Sequence, residues 1–329
     1  MLQRITRRTF TRAGLATAAA LPFVGARAWA QTWPSRPIKI VCGFPAGGIA
    51  DLFARAYGEH LSRNLGQAVV VENKPGVGGA LAAQAVKASP ADGYTLLFAI
   101  ATTMIMNRVL YKNLPYDPDK DFVLISTMSA GSLVYVAHSS TGAGNVGEFV
   151  EYARRHKTSV GTWGAGSGAH ITVAELNKHF GLQMEAVHYK GLPPMLQDFS
   201  AGVLQAAQGP YDQITNSLQT GTGRPIAVWP KRCSKLPDVP TFLEQGVNSR
   251  QFGLRGYICM AGHSGMPHEA VQRLSALMVE AGKSERVQRI LDTFGIDEAA
   301  QGYVEAKALH EAEKQDWIEL VSSLGLTPQ

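Results

Sequence analysis

Two glycine-rich segments hold the residues best suited to chemistry in this chain. The first is Phe44-Pro45-Ala46-Gly47-Gly48-Ile49-Ala50-Asp51. The second is Thr162-Trp163-Gly164-Ala165-Gly166-Ser167-Gly168-Ala169-His170. Each follows a short apolar run and leads into a helical pattern. Adjacent glycines let the main chain approach a bound molecule closely. The first turn of a helix offers unpaired N–H groups and the positive end of the helix dipole. A carboxylate suits such a place without any lysine or arginine. Phe44, Ala46, Gly47 and Gly48 are therefore candidate ligand-binding residues, and Asp51 either caps the helix or accepts a bond from a ligand donor. From this motif alone, an ordinary tight strand-to-helix turn accounts for the segment equally well. The second segment adds Trp163, Gly164, Gly166, Ser167 and His170. Thr102 and Thr103, near the end of a third apolar run, carry hydroxyls that can donate to an anion or cap a helix. Gln208, closing the run 204–208, completes the set with an amide.

Catalytic constellations do not form. No serine has glycine at both −2 and +2, so there is no nucleophile elbow. Ser167 and His170 are three residues apart on one turn, a spacing that supplies capping rather than a triad. H-E-x-x-H is absent, and no pair of acids stands out for acid–base work. The first segment is not a Walker loop, since no Gly-Lys-Ser/Thr follows. Residues 164–169 do match G-x-G-x-x-A, a relaxed dinucleotide fingerprint, and Glu185 lies at about the ribose-acid distance. That acid should end its strand, however, whereas Glu185 begins one. Neither a nicotinamide nor any other cofactor is expected. Cys42, Cys233 and Cys259 form no C-x-x-C pair and have no metal-ligand spacing with His170, His179 or His188.

The elements that must position these residues follow from the apolar pattern. Ile38–Phe44, Ala68–Glu72 and Tyr94–Ala99 read as buried strands separated by helices, a βαβαβ unit with a parallel sheet. The pattern recurs with strands Ser159–Thr162, Glu185–Tyr189, Leu204–Gln208 and Ile226–Trp229. Val123–Ser129 with Leu133–His138, and Phe252–Ala261, read as the crossings between the two units. Three helices follow at His268–Ala281, Glu285–Phe294 and Glu305–Leu324. The last is amphipathic and is expected to pack across the first unit. The expected fold class is α/β with two lobes: residues 31–131 plus 256–329, and residues 132–255. Two lobes joined by two crossings make a hinge, and ligands of open α/β sheets bind beyond the carboxyl ends of strands.

Residues 1–30 read as an export signal. Arg7-Arg8 precede the uncharged stretch Ala13 to Val24, and Ala28-Trp29-Ala30 offers a cleavage site, so a twin-arginine signal and a mature start at Gln31 are expected. The apolar stretch is shorter than the ~20 residues a bilayer needs. The chain carries 31 basic and 26 acidic side chains, and five of the basic ones lie in residues 1–30 with no acid. The remainder thus balances at 26 against 26. Without a basic excess, nucleic-acid binding is not expected.

Ordered motifs resemble one family. They are Trp33-Pro34-Ser35-Arg36-Pro37-Ile38, Phe44-Pro45-Ala46-Gly47-Gly48 with Asp51, Val70-Val71-Glu72-Asn73-Lys74-Pro75-Gly76 with Gly78-Gly79, and Pro90-Ala91-Asp92-Gly93-Tyr94-Thr95-Leu96-Leu97. Leu114-Pro115-Tyr116-Asp117-Pro118 with Lys120-Asp121-Phe122, Tyr189-Lys190-Gly191 and Leu236-Pro237-Asp238-Val239-Pro240-Thr241 continue the series. From about Trp33 to Leu326 the chain resembles the Bug family, the extracytoplasmic solute receptors of tripartite tricarboxylate transporters. The resemblance implies a type II periplasmic-binding-protein fold, a small carboxylate-bearing ligand and delivery to the membrane subunits of such a transporter.

It also places Thr102, Thr103 and Asn107 where the family has a Thr/Ser-rich loop followed by Asn. The second loop departs from the family pattern. Gly161 stands where Tyr is common, Trp163 where Ser is common, Ser167 in place of Thr, and Gln205 where Asp is usual. An indole in place of a hydroxyl favours a flatter or more apolar acid than citrate, provided Trp163 faces the cleft; turned inward, it packs under the loop. The expected function is that of a monomeric periplasmic receptor. A dinucleotide-dependent exported enzyme and a sensor feeding a signalling partner are the alternatives.

Overall fold

The computed structural model describes residues 33–328. The expected signal peptide and the start at Gln31 lie outside them. Among the described residues no helix is long and apolar enough to cross a membrane.

The chain first builds β1 (Ile38–Cys42), α1 (Ile49–Leu65), β2 (Val69–Asn73), α2 (Ala80–Lys87) and β3 (Thr95–Ile100). A π-helical turn at Thr102–Met106 leads into α3 (Asn107–Leu110), then α4 (Pro118–Asp121) and β4 (Phe122–Ser129). A second group follows: β5 (Leu133–His138), α5 (Val146–Arg155), β6 (Ser159–Thr162), α6 (Gly168–Phe180), β7 (Glu185–His188), α7 (Leu192–Ser200), β8 (Ala206–Pro210), α8 (Tyr211–Gln219) and β9 (Gly223–Trp229). The chain then returns through β10 (Tyr257–His263) and ends in α9 (His268–Ala281), α10 (Glu285–Phe294) and α11 (Tyr303–Ser323).

Two five-stranded sheets result, ordered β2-β1-β3-β10-β4 and β7-β6-β8-β5-β9. In the first, β1 is parallel to β2 and β3, as the βαβαβ pattern requires. In the second, β6 is parallel to β7 and β8. Neither sheet is wholly parallel, because β10 runs antiparallel to β3 and β4, and β5 runs antiparallel to β8 and β9.

This corrects the reading of the apolar runs near 123–138 and 252–261 as crossings. They are strands inside the sheets, and their apolar character reflects burial on both faces. The chain passes between sheets at residues 130–132 and again at 230–256, where Arg250–Gly253 forms a short 3-10 turn. Phe252 within that stretch is buried because it stacks on Phe242 at 4.1 Å and packs edge-on to Trp229 at 6.3 Å.

The amphipathic C-terminal helix α11 buries Trp317, Leu320 and Val321. It packs on β4, its buried side also carrying His310 and Glu313, and its Trp317 reaches Trp229 of the other sheet, ring to ring at 6.3 Å.

Candidate functional site

Parallel strands end at a common edge. On the first sheet β1, β2 and β3 deliver three connections there: Gly43–Gly48, Lys74–Gly79 and Ala101–Met106. Pro45, Ala46, Gly47 and Gly48 are exposed, and Phe44 is half-buried. No side chain caps α1, whose N-cap is Gly48, so the first-turn amides of Ile49, Ala50 and Asp51 have no intrahelical acceptor. Asp51 itself is committed. Its Oδ2 accepts from the Gly47 amide at 2.9 Å and from Arg55 Nε at 3.0 Å, and its Oδ1 accepts from Asn73 Nδ2 at 2.8 Å. Burial works against ionisation of this carboxyl, but the Arg55 guanidinium, the Gly47 amide and Asn73 outweigh it and hold it below the usual carboxylate range. Of the two roles open to Asp51, the geometry gives it a third: it fixes the loop by holding the Gly47 amide.

Thr103 and Asn107 are buried and turned away from solvent. Thr103 Oγ1 donates to the Gly78 carbonyl at 2.7 Å, and Asn107 Nδ2 donates to the same oxygen at 3.1 Å. Tyr116 Oη donates to the Thr103 carbonyl at 2.6 Å; burial pushes its pKa up to about 12, against a lowering bond from Asn107. These bonds clamp a left-handed turn, Val77-Gly78-Gly79. Val77 has φ 52°, a rare conformation for a β-branched residue. A Cβ on Gly79 would lie 2.4 Å from Thr103 Oγ1 and 3.5 Å from the Phe44 ring, so the three connections touch one another. Thr102 is half-exposed, with Oγ1 3.6 Å from Met106 Sδ.

On the second sheet β6, β7 and β8 end at Thr162, His188 and Pro210. Ser167 caps α6, its side chain accepting from the His170 amide at 3.3 Å. Gly166 donates its N–H to His170 Nδ1 at 3.1 Å. Burial and then the neighbouring His188 lower the His170 pKa. The two imidazole rings meet edge to face, 4.5 Å apart. Thr162 Oγ1 lies 2.6 Å from His188 Nδ1.

Across the same face, Gln208 is register partner to Tyr135. Val160 pairs with Ala206, so Thr162 and Gln208, each two residues further along, lie side by side. The row His188, Thr162, Gln208, Tyr135 is thus polar from strand to strand. Gln208 is 0% exposed, and among the described residues neither its amide atoms nor Tyr135 Oη has a hydrogen-bond partner. Trp163 is half-buried, its Cζ2 3.7 Å from where a Gly168 Cβ would stand, so the indole packs over the start of α6.

The second loop reaches the other side of the molecule at Gly166. A Cβ there would lie 2.8 Å from Leu110 Cδ2 at the end of α3 and 3.4 Å from Leu326 Cδ1. The 163–168 loop therefore abuts the segment that begins at Thr102, while Phe44 abuts the same segment's Thr103 through Gly79.

Residues 53–326 match the family described as "Tripartite tricarboxylate transporter family receptor". The chain belongs to that family of solute receptors. A UPF0065 protein of Bordetella bronchiseptica is 34% identical over 218 residues, 66% of this chain and 65% of that protein. An R. palustris protein solved with adipate has a TM-score of 0.76 at 28% identity, over 90% of this chain and 100% of that one. MatC from Rhodopseudomonas palustris, solved with bound malate, has a TM-score of 0.70 at 26% identity, over 88% and 100%.

Within this receptor, Phe44, Ala46, Gly47, Gly48 and Thr102 stand exposed or half-exposed at the end of the first sheet, and Trp163, Gly164, Gly166, Ser167 and His170 form the loop at the end of the second, which reaches the first side at Leu110 and Leu326. Asp51, Thr103 and Asn107 stand behind as supports. Gln208 lies under the second loop in the sheet. Sequence reasoning missed the Val77–Gly79 turn, although Gly76, Gly78 and Gly79 signal it, and missed His188 and Tyr135, which only strand register reveals. Gly161, at the position where the family favours Tyr, is forced by packing: a Cβ there would lie 2.6 Å from Met195 and 2.7 Å from Leu204. Gln205 accepts the Ser159 amide at 2.8 Å and stitches β6 to β8, outside the site. Glu185, the required acid of a dinucleotide site, sits at the far end of β7 and pairs with Lys157 at 3.7 Å.

Proposed function

We propose that this receptor captures a small carboxylate-bearing solute between the 44–51 and 162–170 loops and hands it to the membrane subunits of a tripartite tricarboxylate transporter. It works as a periplasmic monomer, exported by a twin-arginine signal in residues 1–30. The lobes are residues 31–131 with 256–329, and residues 132–255, and they close about the 130–132 and 230–256 crossings. The observation that carries this reading is the uncapped first turn of α1, whose amides open onto the exposed Pro45–Gly48 loop. Main-chain dipoles there suit a carboxylate. Closure is driven by tighter binding to the closed form than to the open one.

Ligand-bound relatives support the acid class, one solved with adipate and another with malate. Where its free face borders the cleft, the indole of Trp163, packed over the start of α6, shifts the preference toward aromatic or medium-chain acids. A thermal-shift panel of adipate, malate, citrate and benzoate, followed by calorimetry, tests this. A bound acid at a hundredfold excess over Kd stabilises by ~2.7 kcal/mol. Citrate binding as tightly as benzoate or adipate contradicts the apolar preference. Binding of NAD in place of any acid overturns the receptor reading.

A further inference from the structure

The turn Thr102–Met106 is π-helical, with the Asn107 amide donating to the Thr102 carbonyl. Such turns are rare, short and frequent at functional sites. This one lies between two places that matter for capture. At its start Thr102 is half-exposed, beside the buried Thr103 that clamps the Gly78 carbonyl. Past its end, Leu110 abuts Gly166 of the second loop.

Side-chain donors from outside the turn hold it in this form. Tyr116 Oη donates to the Thr103 carbonyl at 2.6 Å. Arg108 Nη2 donates to the Met104 carbonyl at 3.1 Å, and Arg108 Nε to the Ile105 carbonyl at 3.2 Å. Three successive carbonyls each receive a side chain, two of them from one guanidinium. The same guanidinium is anchored on its other side. Its Nη1 donates to Asp119 Oδ2 at 2.9 Å and its Nη2 to Asp119 Oδ1 at 3.2 Å. Asp119 is faced in turn by Lys314 Nζ and His310 Nε2, both at 3.5 Å. Thus α4 and α11 fix the fork, and the fork fixes the turn. A planar guanidinium presents several donors at set angles, whereas the ammonium of lysine is a point charge.

We propose that Arg108 is a positioning residue of the acid site: its fork keeps residues 102–106 π-helical, and that form presents Thr102 to the ligand and Leu110 to Gly166. This rests on the organic-acid reading above, with Thr102 among the contacts. Arg108 does not act on the ligand as a charge, because Asp119 and the two carbonyls occupy its guanidinium. An α-helical turn closes four residues on and a π-helical turn five. Losing the π form therefore rotates Thr102 relative to Leu110.

Calorimetry with adipate, malate and benzoate, together with thermal melts, tests it on wild type, Thr102→Val, Arg108→Gln, Arg108→Lys and Thr102→Val combined with each Arg108 variant. Thr102→Val and Arg108→Gln should each raise Kd about 3–10-fold, the range of one lost hydrogen bond. The double variant should bind no more weakly than the weaker single one, whereas independent effects would multiply to about 10–100-fold. Arg108→Lys keeps a charge opposite Asp119 but not the fork. It should recover most of the Tm lost in Arg108→Gln and little of the affinity. If Arg108→Gln does not fold, Arg108→Lys with Thr102→Val gives the same comparison of Kd. Recovery of both Tm and Kd by lysine marks an ion pair that serves stability alone and overturns the proposal. An unchanged Kd in Arg108→Gln, or effects that multiply, also overturns it, and wild-type acid binding then leaves the receptor reading intact. Binding of none of the three acids by the wild type at millimolar concentration overturns the proposal together with the organic-acid reading.

Discussion

Asp51→Asn probes the first wall at its hidden support. Asp51 gathers the Gly47 amide, Asn73 Nδ2 and Arg55 Nε at 2.8–3.0 Å, and forms an ion pair with Arg55 Nη2 at 2.9 Å. Its side chain is 3% exposed and that of Arg55 is 42% exposed. The asparagine keeps one acceptor oxygen but turns an NH2 toward groups that are themselves donors. Hydrogen bonds to a charged group are worth about 1.5–3 kcal/mol each, and solvent around Arg55 screens part of the ion pair. The expected loss is about 2–3 kcal/mol, a Tm lowered by roughly 4–12 °C at ~2–4 °C per kcal/mol. The freed Gly47 amide loosens the loop, so acid affinity should fall about tenfold, or ~1.4 kcal/mol.

The sign of the binding change is diagnostic. Were Asp51 acting on the ligand mainly as a repelling charge, its neutralisation would tighten binding. Thermal unfolding followed by circular dichroism, with calorimetry for the acid, measures both quantities. An unchanged Tm, or a tighter Kd, refutes the account of Asp51 as the residue that holds the loop. The folded-state pKa of this carboxyl is lowered, so its contribution is complete above the unfolded value of ~3.9 and disappears as pH falls through the lower folded value.

Gly166→Ala should weaken acid binding about tenfold and cost about 1–2 kcal/mol of stability, because φ is +74° and the new Cβ meets Leu110; Leu110→Ala in the same chain should restore part of the affinity in calorimetry. Tyr135→Phe removes a buried hydroxyl that has no partner among the described residues, so urea unfolding should show a change within about 1 kcal/mol or a gain. Asp119 is held at about 2, first by Arg108, with burial opposing and Lys314 and His310 assisting. That value lies below the unfolded one, so the stabilisation is present above pH ~4 and is lost as pH falls toward 2. Asp119→Asn should flatten this acid limb in a series of thermal melts.

Much of the fold is legible in apolar periodicity. Ser159–Thr162, His268–Ala281 and Glu285–Phe294 match their observed bounds because turn residues and caps bracket them. Sheet membership is less legible. A continuous apolar run such as 123–129 says that both faces are buried but not which neighbours bury them, and strand direction depends on contacts far along the chain. The site shows the same division. The Gly47-Gly48 and Gly164–Gly168 loops announce themselves by composition, since few other residues tolerate those turns. The roles of Asp51, Thr103 and Asn107 depend on what stands opposite: Gly47, and the carbonyl of Gly78, itself presented by a left-handed turn. The row from His188 to Tyr135 exists only once four strands are placed in register.

The contacts that join the two sheets differ in kind, and the difference bears on capture. Around the 230–256 crossing they are dense. Trp229, Phe252 and Trp317 pack together, Arg250 pairs with Asp316 at 2.9 Å and Glu319 at 2.8 Å, and Glu313 accepts the Arg255 amide at 3.0 Å. At the loop edge the meeting of Gly166 with Leu110 and Leu326 is apolar and small. Separating the loops there exposes two leucine side chains and one glycine, at most ~2–3 kcal/mol each for a fully buried leucine. Disrupting the tryptophan cluster would expose far more apolar area. Motion should therefore pivot near the crossing and open at the glycine loops. A ligand need contribute only a few kcal/mol of differential affinity to hold that edge shut.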